Sequence, residues 1–380
     1  MKAALRGASV VVLLWIAASP ALASFQASDL IYVPVAAHNE GVEGSLWQTD
    51  LYITNVEDVA VDVAIFFFPS GLLNNASYLS RSHGLAGRSD QGFAYVNEAL
   101  ADIPAGGSVL LVDVVGEYWF ADLESLATLG GMVVFAYEAG SLDATGNRVP
   151  RNVVVHSRTS NLTTIYVPDP HLEGAFTEQP TSYAQTVHGV PWYDLADPSA
   201  IDEELGLDFT YQVLLGATES EALRFNLGIF NASDPQTSIT VKVQPFQADG
   251  TPFLTEDESE IALSVTLPPL AHIQYNRILT RTLEIDETEL ASFRVSFVSW
   301  TTSSPEPKPA FTCYGSVVDA LSNDPTTVQP SFEAPYDVDC VWSVFDDEGG
   351  QPAPGRSTPG SCKRGEPGPR RTRPLAMPGR

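Results

Sequence analysis

Short runs in which apolar and polar positions alternate dominate this chain. Val61, Val63, Ile65 and Phe67 alternate with Asp62, Ala64, Phe66 and Phe68. Ile239, Val241 and Val243 alternate with Thr240, Lys242 and Gln244, one face apolar and the other polar, and Phe293, Val295 and Phe297 repeat the theme. A period of two sends successive side chains to opposite faces of a strand. Turn residues separate these runs. Stretches with a 3.6-residue period are scarce, and the best short helical segments are Asp122 to Ala127 and Glu287 to Ala291. The pattern predicts an all-β chain of antiparallel β-sandwich domains rather than an α/β enzyme core.

The strand pattern occurs twice. Thr49-Asp50-Leu51-Tyr52-Ile53-Thr54-Asn55 aligns with Phe225-Asn226-Leu227-Gly228-Ile229-Phe230-Asn231. Each is followed by a polar turn and an alternating strand. Ile103-Pro104-Ala105 then matches Leu267-Pro268-Pro269, and Gly131 to Phe135 corresponds to Ser292 to Phe297. Finally, Val153 to Arg158 answers Cys313 to Val318. Four blocks in one order indicate a duplicated module. The offset is 176 residues at the first block and 164 at the second, and the first copy holds the surplus in a surface loop, Leu72 to Gly92. The expected organisation is a signal peptide (1–23), a first module (24–165), a connector (166–207), a second module (208–335) and a tail (336–380). Residues 351–380 contain seven Pro and five Gly and are expected to be disordered.

Three sets of residues resemble recurrent motifs of a family of uncharacterised secreted bacterial proteins. They are Trp47-Gln48-Thr49-Asp50-Leu51 with Asn55, Ser157-Arg158-Thr159-Ser160-Asn161, and Ser316-Val317-Val318-Asp319 with Asn323-Asp324-Pro325. The resemblance spans about residues 30–330 and departs at Asp319-Ala320-Leu321. It implies two tandem immunoglobulin-like sandwiches and export, and it carries no catalytic residue.

The first residues point to the same compartment. Lys2 and Arg6 precede the apolar run Val10 to Ala18, and Ala21-Leu22-Ala23 supplies small residues for cleavage before Ser24. That run is too short for a membrane span, which needs about 20 apolar residues, and no later stretch qualifies. The expected location is secreted, periplasmic or at the cell surface. Residues 24–350 carry 11 bases against 46 acids. Such a surface repels phosphate backbones, which argues against nucleic acid as a partner and leaves acidic solubility, basic partners or Ca²⁺. Cys313 lies in an apolar run and reads as a buried small hydrophobe, whereas Cys340 and Cys362 flank a turn-rich segment and could pair in an oxidising compartment.

Enzyme signatures are few. The sequence has no His-Glu-x-x-His helix, no Gly-x-Ser-x-Gly elbow and no phosphate loop, and its six histidines show no close ligand spacing. His156 precedes Ser157 and Arg158, but a catalytic role would need a third group brought by the fold. Hard oxygen ligands for Ca²⁺ are plentiful: Asp143 with Asn147, and Asp202, Glu204 and Asp208, although none forms an EF-hand loop. Trp192, Tyr193 and Trp119 are candidate ligand-binding aromatics, with Trp192 and Tyr193 also suited to sealing the modules together. Trp47 and Trp300 are expected in the cores. The reading is a non-catalytic interaction or adhesion protein for an extracellular protein or glycan. The alternative is a carbohydrate-binding accessory protein, with or without a requirement for Ca²⁺.

Overall fold

The computed structural model describes residues 26–330, except 41–45, 71–101, 119–127, 145–147, 169–175, 199–200, 203–206, 209, 287, 321 and 323. The long loop, Trp119, Asn147, Glu204, the helical segment expected at Asp122 to Ala127, the Cys340–Cys362 pair and the tail lie outside the described residues.

The first half runs β1 (Leu30–Glu40), β2 (Leu46–Asn55), β3 (Val61–Pro69), β4 (Ser108–Leu111), α1 (Val114–Tyr118), β5 (Thr128–Leu142), β6 (Arg148–Pro150), β7 (Val153–Pro168) and β8 (Phe176–His188). Two short pieces follow: β9 (Val190–Pro191) pairs with β1, and β10 (Ile201–Asp202) pairs with β11 (Leu207–Asp208). The second half runs β12 (Tyr211–Glu219), β13 (Leu223–Asn231), β14 (Thr237–Gln247), β15 (Leu263–Leu267) and β16 (His272–Asn276). After a helical turn (Ile278–Thr282) come β17 (Thr288–Thr302), β18 (Phe311–Asp319) and β19 (Pro325–Val328). No helix among the described residues is long and apolar enough to cross a membrane.

The strand pairings repeat. In the second half, one sheet is ordered β12-β17-β14-β15 and the other β16-β13-β18-β19. The first half pairs β1-β5-β3 and β4-β2-β7-β8 in the same relation, all antiparallel. Three further pairs, from His38↔Gln48 to Glu40↔Leu46, join its two layers into one continuous sheet. Each half closes around its own core. Leu51, Ile53, Val63, Ile65 and Val134 meet in the first, and Leu227, Ile229, Val241, Val243 and Val295 in the second.

The repeat extends to single hydrogen bonds. Asn55 and Asn231, both fully buried, end the matched strands β2 and β13. The Asn55 amide donates to the carbonyls of Val59, Ile103 and Pro104 at 2.8–3.0 Å, and its oxygen accepts from Glu57 N–H. Asn231 donates to Thr237, Leu267 and Pro268 at 2.7–3.2 Å and accepts from Ser233 N–H. One side chain thus satisfies main-chain groups of a turn and of the following proline loop, groups that would be expensive to bury unpaired.

Burial on both strand faces explains the uninterrupted apolar runs of β3 and β5. Val63, Ile65 and Phe67 face the first core, whereas Ala64, Phe66 and Phe68 face the second half. Likewise Met132 and Val134 point inward, and Val133, Phe135 and Tyr137 outward. Phe230 of the second half packs against Tyr32 and Phe68, with ring centroids 6.1 and 5.8 Å away, and Leu270, Ala310, Val190 and Leu195 complete this seam. Gly131 lies directly beneath Phe230, where an added Cβ would sit 3.0 Å from ring carbons. Large aromatics bury about 150–250 Å² each, so the seam is an apolar core in its own right and not a wet contact between loosely tethered beads.

One expectation needs correction. The described residues of Glu287 to Ala291 are strand, not helix. Residues 288–291 open β17, where Ala291 pairs with Ala217 and is buried while Leu290 is exposed, so sheet pairing overrides local helix preference. Among the described residues the helical turns fall instead at Val114–Tyr118, Trp192–Asp194 and Ile278–Thr282. Half of the segment 166–207 is strand: β8 pairs with β7 along its whole length, from His156↔His188 to Pro168↔Phe176.

Leu51 and Leu227 are both fully buried, and Leu51→Ala or Leu227→Ala is expected to cost about 2–5 kcal/mol. Calorimetry should show one shared transition for the two halves, shifted down by either substitution. Asn231→Ala should cost about 2–4 kcal/mol by leaving buried carbonyls unpaired. Asn231→Asp should cost more at neutral pH, where a carboxylate would face those carbonyls. Because that contact raises the folded-state pKa, the excess should shrink as pH falls and be gone near the ordinary carboxylate value of about 4. Denaturant titrations at both pH values check this.

Candidate functional site

A β-bulge creates the site. Between Val33 and Ala36 the register of β1 against β5 shifts, which swaps the faces of the residues beyond it. Ala36 stays in the first core, while Val35, Ala37 and Asn39 turn towards the second half. Opposite them lies the outer face of β13, β16 and β18. Arg224 and Asn226 alternate there with the core residues Phe225 and Leu227, and Asn276, Tyr314 and Ser316 stand on the neighbouring strands. Between the halves opens a cavity of about 330 Å³, within the size range of small-molecule sites.

Among the described residues its charged lining is all of one sign: Arg224, Arg277 and Arg281 line it and no Asp or Glu does, in a chain with 47 acids and 20 bases. Arg224 is half-buried, and its pKa is lowered first by burial and then by repulsion from Arg277 and Arg281. Arg277 has left-handed backbone (φ 54°) at the start of the helical turn, and its N–H donates to Asn226 Oδ1. The first half repeats this joint, with Asp113 (φ 44°) donating its N–H to Asp50. Asp113 also pairs with His38 at 2.9 Å. The matching restraint in the second half is Glu219, which is buried and accepts from Leu279 and Thr280 N–H.

The amides of the cavity are held with their oxygens engaged. Gln185 Oε1 accepts from Ser316 and Thr327 hydroxyls at 2.9 and 3.1 Å. Tyr314 donates its hydroxyl to Gln274 Oε1 at 2.6 Å, and Gln274 Nε2 donates to Asn276 Oδ1 at 2.7 Å. Behind Tyr314 lies His272, whose Nε2 is 3.3 Å from the Tyr hydroxyl and whose Nδ1 meets the Ser70 hydroxyl of the first half. Burial pushes the His272 imidazole down to about 3, so it is neutral and carries a single ring N–H. With the Tyr314 proton given to Gln274, that N–H sits on Nε2 and Ser70 donates to Nδ1. Gly228 makes room for this relay, because a Cβ there would collide with the Tyr314 ring. The first half has Tyr52 at the matching position, stacked on His156 at 4.6 Å.

The aromatics expected in the cores behave otherwise. Trp47 is half-buried and lines the cavity, and Trp300 is 44 % exposed. Trp192 packs against the seam and donates its indole N–H to Asp29 at 3.3 Å. Tyr193 donates to the Ala27 carbonyl, and burial with nearby Asp194 and Asp29 pushes its hydroxyl up to about 12. Neither lines the cavity. His156 belongs to β7 and faces His188; its pKa is lowered by burial and by that neighbour. Cys313 is buried in the second core, with its thiol pKa pushed far up by desolvation.

Of the calcium candidates, Asp143 is exposed beyond β5, and Asp202 and Asp208 lie on the small β10–β11 ladder. Among the described residues, no three His, Cys, Asp or Glu side chains gather as a metal site. The arginines escaped the sequence reading. The available signal was that two of the 11 bases in residues 24–350, Arg277 and Arg281, fall within five residues of each other.

His272 predicts a pH dependence. The unfolded chain takes up a proton at this residue below about pH 6.5 and the folded chain does so only near 3. Stability from this group is therefore complete above about pH 6.5 and is lost as pH falls towards 3, by at most about 1.4 kcal/mol per unit. Urea unfolding between pH 7.5 and 4.5 should give a shallower acid limb in His272→Gln than in the parent chain.

Compared with protein-family models, curated proteins and solved structures, the chain finds no match.

Proposed function

We propose that this chain is a non-catalytic extracellular interaction protein, built from two immunoglobulin-like sandwiches and binding its ligand in the cleft between them. The observation that carries this reading is the cleft itself: a cavity walled by both halves, lined by three arginines, amides and a half-buried Trp47, and floored by Val35, Leu129 and Tyr314. A site of this kind recognises and holds a ligand through preset donors and an aromatic surface. The leader-like start, with Ala21-Leu22-Ala23 before Ser24, and the acidic composition support export. The motif resemblance supports the immunoglobulin-like assignment. Trp47 favours a glycan over a protein partner, because an indole face stacks on sugar rings.

The test is a glycan and surface-protein array probed with the full chain, with Trp47→Ala, and with chelator added. Glycan signals that vanish in Trp47→Ala and persist in chelator are the expected result. Signals unaffected by Trp47→Ala would remove the cleft from the reading. Signals lost only in chelator would establish the calcium-dependent alternative.

A further inference from the structure

The polarity of the cleft is more specific than its shape. Three amides around it have their oxygens occupied by protein donors: Gln185 by Ser316 and Thr327, Asn226 by the Arg277 N–H, and Asn276 by Gln274. What each amide retains is its NH₂ group, a donor. Arg224, Arg277 and Arg281 add guanidiniums, which donate and never accept. Among the described residues, neither Arg277 nor Arg281 has a carboxylate within ion-pair distance. These three amides therefore present donors to the cleft, and at Arg277 and Arg281 the wall adds positive charge that no described carboxylate pairs with.

We propose that the cleft binds an anionic saccharide, a sugar ring bearing a carboxylate or sulfate, with the anion on Arg277 and Arg281 and the ring against Trp47. This rests on the cleft being the ligand site. A planar guanidinium fork matches two oxygens of either anion, and the amide NH₂ groups suit ring hydroxyls and anion oxygens. The volume of about 330 Å³ sets the scale at one or two rings, not a long chain. Charge elsewhere on the molecule sharpens the choice. At physiological salt the screening length is about 8 Å, so a short anion inside the cleft feels mainly the arginines. A long polyanion lying across the outer surface meets an excess of acids. The site is thus matched to a terminal or monomeric acidic sugar.

Calorimetric titration of the full chain with digalacturonate, 3′-sulfolactose, lactose and penta-glutamate tests this. Both acidic sugars should bind, lactose at least tenfold more weakly, and penta-glutamate not measurably. Arg277→Asn with Arg281→Gln should weaken the acidic sugars by at least 30-fold, while the melting temperature stays within about 2 °C of the parent. Asn is chosen at 277 because it tolerates the left-handed backbone there. Trp47→Ala should weaken them independently. If that pair of substitutions does destabilise the fold, Arg281→Glu, at an exposed position, gives the same readout alone. Lactose binding as well as the acids, lost only in Trp47→Ala, would overturn the anionic assignment and leave the cleft as the site. Tight binding of penta-glutamate alone would replace the saccharide with an acidic peptide. No binding by either acidic sugar at millimolar concentration would overturn the proposal, and binding unchanged in every cleft variant would overturn the cleft reading with it.

Discussion

A single buried amide, repeated in each half, ties the fold together. Asn55 and Asn231 join the end of one strand to the turn that follows and to a proline loop 48 and 36 residues further on. Each closes a region where three chain segments meet with few other means of satisfying their carbonyls. An aspartate in that place would present oxygen to oxygen, and a serine would not reach. The amide fixes where the next strand begins, and therefore its register. Register then decides which side chains face the core, because a slip by one residue would reverse them all.

Register has unusual weight here because several strands are buried on both faces. In β1, β3 and β5 the inward residues build the first sandwich and the outward ones build the seam to the second. Phe230 lies one residue before Asn231, so the residue that plugs the seam is placed by the same hydrogen bonds that close the second core. The two halves are coupled through one short stretch of chain. The cleft inherits that rigidity. Its apolar floor is Val35, Leu129 and Tyr314, a cluster distinct from the seam, and its arginines stand on β13 and on a turn anchored by Glu219.

Much of this was legible in sequence because it is local. Alternation at Ile239 to Gln244 identified a strand with one buried face, and the four ordered blocks located equivalent strands, including the pair of asparagines. β8 escaped because it is polar and carries Pro180, residues suited to an edge strand with exposed positions such as Thr177 and Gln179. Trp47 was expected in a core because an aromatic beside a strand usually goes there. The bulge in β1 and the approach of the second half, neither of which leaves a local trace, made it a cavity wall instead. The arginine cluster was hidden for the same reason. Arg224 is more than 50 positions from Arg277, and only the pairing of β13 with β16 brings them together.

The exchange of Tyr52 in one half for Gly228 in the other has a consequence for how the molecule counts. In the first half the ring stands on β2 and covers His156. In the second, the ring has moved to the adjacent strand as Tyr314, where it passes hydrogen bonds from the interior to the cleft rim. Two copies of one architecture therefore do not make two matching clefts. If the cleft is the ligand site proposed above, the duplication supplies a site and its wall, and multivalency depends on how many chains are brought together.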